Sequence, residues 1–514
     1  MVPSSKIGQD FNLTYLNRPP VITFMRPISH ELHVPVLVSE SDGNPVNEIV
    51  YIKFPDKNEI LRLNSSLKPR KKFFKKCSDI VKEVFLPFGY PESVSDDYTE
   101  YQIWDTLQAC ASTITGTLTT KVILQSVGVG NSEASAVGAA VTWILKDGTG
   151  MVSRIVFAWL VGSGLDSECK KWRLFADAIN DVAMCVELTI LPHYSDYALQ
   201  ILCFSTSLKA LVGVAGGATR AAITQHQAIH QNMADVSAKD GSQETCVNLI
   251  TSFMGLGILT LITNVTVMWY VFIVMTLLHL YANYRAVKCL NFTCFNESRL
   301  ALAIQDYMRI EQVPFPKDVN RRESVFLFGG LNGKRLSAFN ISIGHSLGEL
   351  MSNSSLLPFQ LQFLTHLYKD RKYIILINSE KRQLHIGLVK AHKPKDLIEA
   401  YFHAVLIGMG SNLLKIPVSQ HLGDQIHSKL RQDSILSKLH CIVRTKSQLK
   451  LQAQIDLPLI MAIDQFASTY SIKFLADAEM RGWDVTRTLL PVDKWRAEWG
   501  EDNKDIDVTK LKTS

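Results

Sequence analysis

From Gly216 to Glu244 the chain reads GGATRAAITQHQAIHQNMADVSAKDGSQE, its densest run of residues able to hold a charged small molecule. Gly216 and Gly217 would leave free backbone N–H groups near a helix start, with Arg220 one turn in, which suits a phosphate or carboxylate. Close packing or a turn would use the same two glycines. Taken as one helix over 218–238, Arg220, Thr224, Gln227 and Gln231 share a polar stripe, while Ile223, His226 and His230 lie on the adjoining face. A helix that polar must face water, a cavity or a partner. His226 and His230 have the i, i+4 spacing of two helical metal ligands, but QHQAIHQN lacks the Glu of HExxH, and only Asp235 is near as a third ligand. Hydrogen-bonded histidines are the preferred reading, and no metal is expected. Asp235 and Lys239 stand four apart and could pair, with Asp240 next in the chain. The ligand-binding candidates are therefore Gly216, Gly217, Arg220, His226, Gln227, His230, Asp235, Lys239 and Asp240.

Elsewhere the chemistry thins out. Asp177 and Asp181 in FADAINDVAM are one turn apart and could share a cation or a proton, although a polar helix face explains them as well. G-x-S-x-G, the P-loop, G-x-G-x-x-G and a Cys–His nucleophile pair are all missing, so no catalytic residue is assigned and an enzyme is not the favoured reading. A net charge of +6 over 514 residues is too mild to argue for nucleic acid. Nine scattered cysteines fit neither a metal knuckle nor a secreted disulfide scaffold, so reduced, mostly buried thiols are expected.

The elements around these residues are set by hydropathy. Thr245–Tyr284 carries no Asp, Glu, Lys or Arg over forty residues, room for two crossings of a bilayer at about 20 residues each. The run divides near Asn264, and its second half has aromatics near both ends, with Arg285 and Lys288 closing it. Small residues fill Tyr101–Lys121 and Ser135–Leu145, as in helices that pack closely within membranes. Arg154, Glu187 and Lys209 interrupt further apolar stretches and would need partners in hydrocarbon.

On either side charges return. Short β segments are expected at Val21–Phe24, Leu32–Val38 and Glu48–Phe54, followed by the basic stretch LKPRKKFFKKC, which suits either an anionic leaflet or a solvated linker. After Asn291, Lys372–Asn378 and Gln383–Lys390 read as a hairpin and Asp396–Met409 as a helix. A second strand pair near Lys438–Ile455, a helix at Leu459–Arg481 and a strand at Val485–Pro491 complete a repeated β-β-α pattern. The expectation is a mainly α protein. Residues 1–84 form an N-terminal region of short strands and a basic linker, 85–310 a small-residue-rich helical membrane domain, and 311–514 a smaller α+β domain.

Six ordered stretches resemble the root UVB sensitive (RUS) family: FLPFGYPESVSDDYTEYQIWDTLQA, VGVGNSEAS, WILKDGTGMVSRIVFAW, KKWRLFADAINDVAM, GVAGGATRAAITQHQA and NMADVSAKDGSQETCVNL. GWDVTRTLLPVDKWRAEW (Gly482–Trp499) is similar to the C-terminal end of its animal-type member. The resemblance implies a membrane-associated protein of vitamin B6 homeostasis that assembles with itself or with another family member, and it brings no catalytic residues with it. The cofactor is left open, with pyridoxal phosphate or another B6 vitamer as a possible ligand. On this reading the chain is a multi-pass membrane protein that binds or transports a small anionic metabolite. The alternative is a non-transporting scaffold that recruits partners through its C-terminal domain. The N-terminus lacks an Arg-rich, acid-poor presequence, so a plastid address is not expected and the organelle is left open.

Overall fold

The computed structural model describes residues 36–40, 49–53, 60–64, 72–126, 136–261, 264–348, 358–378, 381–415, 434–446 and 457–499. The chain divides into two compact units, Met1–Asp96 with Gln227–Gln243, and Asp97–His226 with Glu244–Ser514.

In the first unit, β1 (Val36–Glu40), β2 (Ile49–Lys53) and β3 (Ile60–Asn64) form an antiparallel sheet in sequence order. Val36–Val38 of the strand expected at Leu32–Val38 lie in β1 and the strand expected at Glu48–Phe54 is represented by β2, while Leu32–Pro35 and Val21–Phe24 lie outside the described residues. The basic stretch is not simply a linker, because it runs into helix α1 (Lys72–Phe85). Phe73, Phe74, Cys77, Ile80, Val81 and Val84 recur there at helical spacing.

Six long helices follow: α2 (Tyr98–Ser126), α3 (Ala136–Val161), α4 (Cys169–Thr189), α5 (Ala198–Gln227), α6 (Met233–Leu261) and α7 (Val265–Cys289). Among the described residues, α5, α6 and α7 are long and apolar enough to cross a membrane, which suggests membrane association. The multi-pass expectation thus narrows to three candidate crossings. The break near Asn264 is real: its side chain caps α7 by accepting the Thr266 N–H at 2.8 Å. Phe253 on α6 and Leu277 on α7 remain more than 60% exposed, as does Trp159 on α3, so apolar surface on these helices faces outward.

Helices α2, α4 and α7 pack closely, with Leu118, Val122, Met184, Leu188 and Phe272 in one apolar cluster. Five threonines of α2 are tolerated because their hydroxyls donate to backbone carbonyls four residues earlier: Thr113 to Ala109, Thr115 to Ala111, Thr117 to Thr113, Thr119 to Thr115 and Thr120 to Gly116. Gly255 of α6 lets Thr117 of α2 approach so closely that an added Cβ would sit 2.8 Å from its hydroxyl. Of the three interior charges flagged by hydropathy, two satisfy each other: Lys209 pairs with the buried Glu187 at 2.6 Å.

The remaining chain adds β4 (Cys294–Phe295), α8 (Glu297–Ile310), α9 (Pro316–Arg322), α10 (Gly333–Ser337), β5 (Asn340–Ile343), α11 (Pro358–Leu367), β6 (Tyr373–Asn378), β7 (Gln383–Leu388), α12 (Pro394–Lys415), α13 (Ile435–Lys446), α14 (Leu457–Met480) and β8 (Asp484–Thr488). The expected hairpin is β6–β7, and β5 joins its β7 edge in parallel to give the order β5-β7-β6. Strand β4 pairs in parallel with β8, and the Phe295 ring stacks on Trp483 at 4.1 Å. The second strand pair is overturned over Lys438–Lys446, since Ile435–Lys446 is helical, with Ile435, Leu439 and Val443 buried at i, i+4 and i+8, and its remainder to Ile455 lies outside the described residues. The fold is mainly α with an α+β C-terminal part, as the sequence indicates. The eight described cysteines are free thiols, but only Cys169 is fully buried.

The polar stretch differs most from its reading as one helix. Helix α5 ends at Gln227 and α6 starts at Met233, with Gln231 between them at a φ of 57°. Gly216 and Gly217 lie inside α5, where their N–H groups serve intrahelical bonds and no helix start exists. His230 falls in the intervening turn, so it and His226 no longer share a helix face.

Candidate functional site

Three helices each contribute one polar stripe to a common buried array. On α4, Arg173, Asp177 and Asp181 recur every four residues; on α7, His279 and Asn283 do the same; on α2, Asp105 and Gln108 are three apart. His279 Nδ1 lies 2.8 Å from Asp181 Oδ2, and its Nε2 lies 3.1 Å from Gln108 Nε2. Gln108 Nε2 also donates to Asp177 Oδ2 at 2.8 Å, and Asn283 donates to the same oxygen. Arg173 reaches Asp105 at 3.0 Å. His279 has no exposed surface and Asp181 only 5%, yet Asp181 Oδ1 has no hydrogen-bond partner among the described residues. A buried carboxylate oxygen left unmatched costs energy that ordinary packing does not require.

With Asp177 ionised, the hydrogen-bond pattern sets the imidazole tautomer. Only an N–H can face the Asp177 carboxylate, so the Gln108 amide nitrogen is correctly placed and can only donate to His279. His279 Nε2 therefore accepts, and Nδ1 carries the proton shared with Asp181. In this state His279 is neutral between two carboxylates.

A second buried network ties α4 to the segment after α7. Lys170 Nζ donates to the Leu290 carbonyl at 2.8 Å and to Asn320 Oδ1 at 2.7 Å, and pairs with Glu323 at 3.0 Å. Arg299 and Asn296 also donate to Glu323, each at 3.0 Å. Burial opposes ionisation of Glu323, but Arg299 and Lys170 outweigh it and hold its carboxyl at about 2. Both cations also lie over the Phe292 ring, at 5.6 Å for Lys170 and 5.1 Å for Arg299. Lys170 Nζ and the side-chain amides of Asn296 and Asn320 each meet two or more acceptors, which makes this network a structural joint.

The sequence-predicted residues are engaged locally. His226 pairs with Asp97 at 2.9 Å, and Asp97 accepts the Asn291 N–H at 2.6 Å. Arg220 pairs with Glu244. Asp235 accepts the Phe88 N–H at 2.7 Å, and Lys239 donates to the Glu83 carbonyl, so the two do not pair with each other. The Gln227 backbone carbonyl accepts the Ser95 N–H, the His230 backbone N–H donates to Asn232 Oδ1, and Asp240 is buried. Asp177 and Asp181 were visible as a pair. His279 was not singled out, although it is the one histidine within the uncharged run Thr245–Tyr284, where a titratable ring is costly without a function.

A buried carboxylate–imidazole array among α2, α4 and α7, three apolar helices of spanning length and an α+β continuation describe a helical class of protein for which those apolar helices suggest membrane association. Residues 71–311 match the family model described as the vitamin B6 photo-protection and homoeostasis domain, and residues 312–499 match that of the root UVB sensitive protein, C-terminal. Protein root UVB sensitive 3 of Arabidopsis thaliana is 35% identical over 426 residues, covering 82% of this chain and 86% of that protein. RUS family member 1 of Dictyostelium discoideum is 44% identical over 252 residues, which is 48% of each chain, so that match spans about half of the relative. The chain belongs to the root UVB sensitive family. No solved structure matches it.

Proposed function

We propose that this protein acts in vitamin B6 homeostasis as a membrane-embedded binder or carrier of a B6 vitamer, handled within its helical domain. The observation that carries this reading is the place of His279, two residues beyond the centre of α7 (Val265–Cys289) and bonded to Asp181. Ionisable groups held midway along a spanning helix are costly and belong by default to substrate or proton paths. The family description supplies the vitamin class.

Charge narrows the ligand. The anion cradle read from Gly216 and Gly217 loses its basis inside α5, and Arg220 is paired with Glu244. An acidic array suits a vitamer with a protonated amine or pyridine nitrogen, so pyridoxamine is favoured over pyridoxal phosphate. The test is uptake of labelled pyridoxamine and pyridoxal phosphate by liposomes holding the purified chain. Pyridoxamine uptake above that of protein-free vesicles, reduced at least tenfold in Asp181→Asn, is expected. Uptake no greater than in protein-free vesicles for both compounds overturns the reading.

A further inference from the structure

The array around His279 holds a conflict that a single proton would resolve. Gln108 Nε2 donates both to Asp177 and to His279, which requires His279 Nε2 to be unprotonated. The groups facing His279 are nevertheless mostly anionic. From α4 they are Asp181, Asp177 and Arg173; from α2 they are Gln108 and, through Arg173, Asp105. Helix α9 meets the far end of α7, where Lys288 donates to the Arg321 carbonyl. Asp181, 5% exposed, keeps Oδ1 unpartnered among the described residues, so the site has acceptor capacity in excess of its donors.

We propose that His279 is the proton-binding site of the helical domain, and that each proton it takes turns over the Gln108 amide. The proton adds to Nε2, the one unprotonated ring nitrogen, displacing the hydrogen bond it accepts from Gln108, while Nδ1–H stays hydrogen-bonded to Asp181. The new Nε2–H cannot face an amide NH2, so Gln108 must rotate to offer its carbonyl oxygen. That oxygen cannot face a carboxylate, so the bond from Gln108 to Asp177 is given up. Asp177 keeps Asn283 as a donor, and the imidazolium forms an ion pair with Asp181. A tie from α2 to α4 is thereby exchanged for a stronger tie from α2 to α7, a two-state element set by one proton. Its use as the coupling ion rests on the carrier reading above; proton binding itself does not.

The experiment follows the ring carbons and nitrogens of labelled histidine by NMR in the full chain in nanodiscs, from pH 4.5 to 9. The His279 signal is identified by its loss in His279→Gln. At high pH it should show the Nδ1–H tautomer, and on acidification it should become imidazolium. Asp181→Asn should lower the midpoint by about one unit or more, and Gln108→Glu should raise it. A ring that stays neutral throughout, or a midpoint that neither variant moves, overturns the proposal. In parallel, a pH dye trapped in the liposomes reads proton movement with pyridoxamine uptake. A normal titration without uptake overturns the carrier reading while the proton site stands.

Discussion

Lys170 of α4 meets Glu323 at 3.0 Å, and each side chain keeps 3% or less of its surface exposed. Two charges so deeply buried are stable only as a pair with their remaining hydrogen bonds satisfied, which Asn320, Asn296 and Arg299 accomplish. Removing one partner strands the other. Lys170→Met and Glu323→Gln should each lower stability by about 3–5 kcal/mol, and the double variant should lose less than the sum. Denaturant titration of the purified protein measures both.

The same joint bears on the C-terminal region as a separate module. A fragment covering Asn291–Ser514 leaves Glu323 with Arg299 but without Lys170, and leaves Asn320 without its Lys170 donor. Its thermal midpoint should lie below that of the corresponding transition in the full chain. The scaffold alternative expects a fragment that folds and captures partners unaided.

Acid should act in two stages. His385 is pushed down to about 4 by burial, with repulsion from His345 adding to it, and His403 is held well below the usual histidine range by burial and Arg371. Both are neutral when folded, so their contribution is full above the unfolded value of about 6.5 and is lost as pH falls through the folded values. Glu323, at about 2 when folded against about 4.3 for a free glutamate, adds stability that is full above the unfolded value and fades as pH falls toward 2. Stability measured against pH should decline first below about 6.5 and again below about 4.3, and His385→Gln should flatten the first stage.

Lys209 and Glu187 tie α5 to α4, and Ser205 adds a hydrogen bond to the same carboxylate at 2.9 Å. Glu187 is 2% exposed whereas Lys209 is about one-third exposed, so the two partners are not equivalent. Lys209→Met should cost about 1–3 kcal/mol by leaving a buried carboxylate short of a partner. Glu187→Gln should cost less, since the amide can keep the Ser205 contact and Lys209 can turn to water. Thermal denaturation in detergent distinguishes the two.

Features that depend on local pattern are legible in the residues alone. The uncharged run from Thr245 to Tyr284, its break at Asn264, the β6–β7 hairpin and helices α12 and α14 are all written in hydropathy period and turn residues, which act over a few neighbours. Family membership was equally legible, because ordered motifs survive as strings. The helix over Ile435–Lys446 is legible too, in the i, i+4, i+8 spacing of Ile435, Leu439 and Val443, a period that the strand-pair expectation for this stretch overlooks. Which polar residues meet depends instead on how the helices pack. Asp181, His279 and Gln108 are separated by up to 171 positions, and only the packing of α2, α4 and α7 brings their stripes to one place. The fold likewise decides that Gly216 and Gly217 lie inside a helix, since whether a backbone N–H is free depends on where α5 begins, eighteen residues upstream of Gly216 at Ala198.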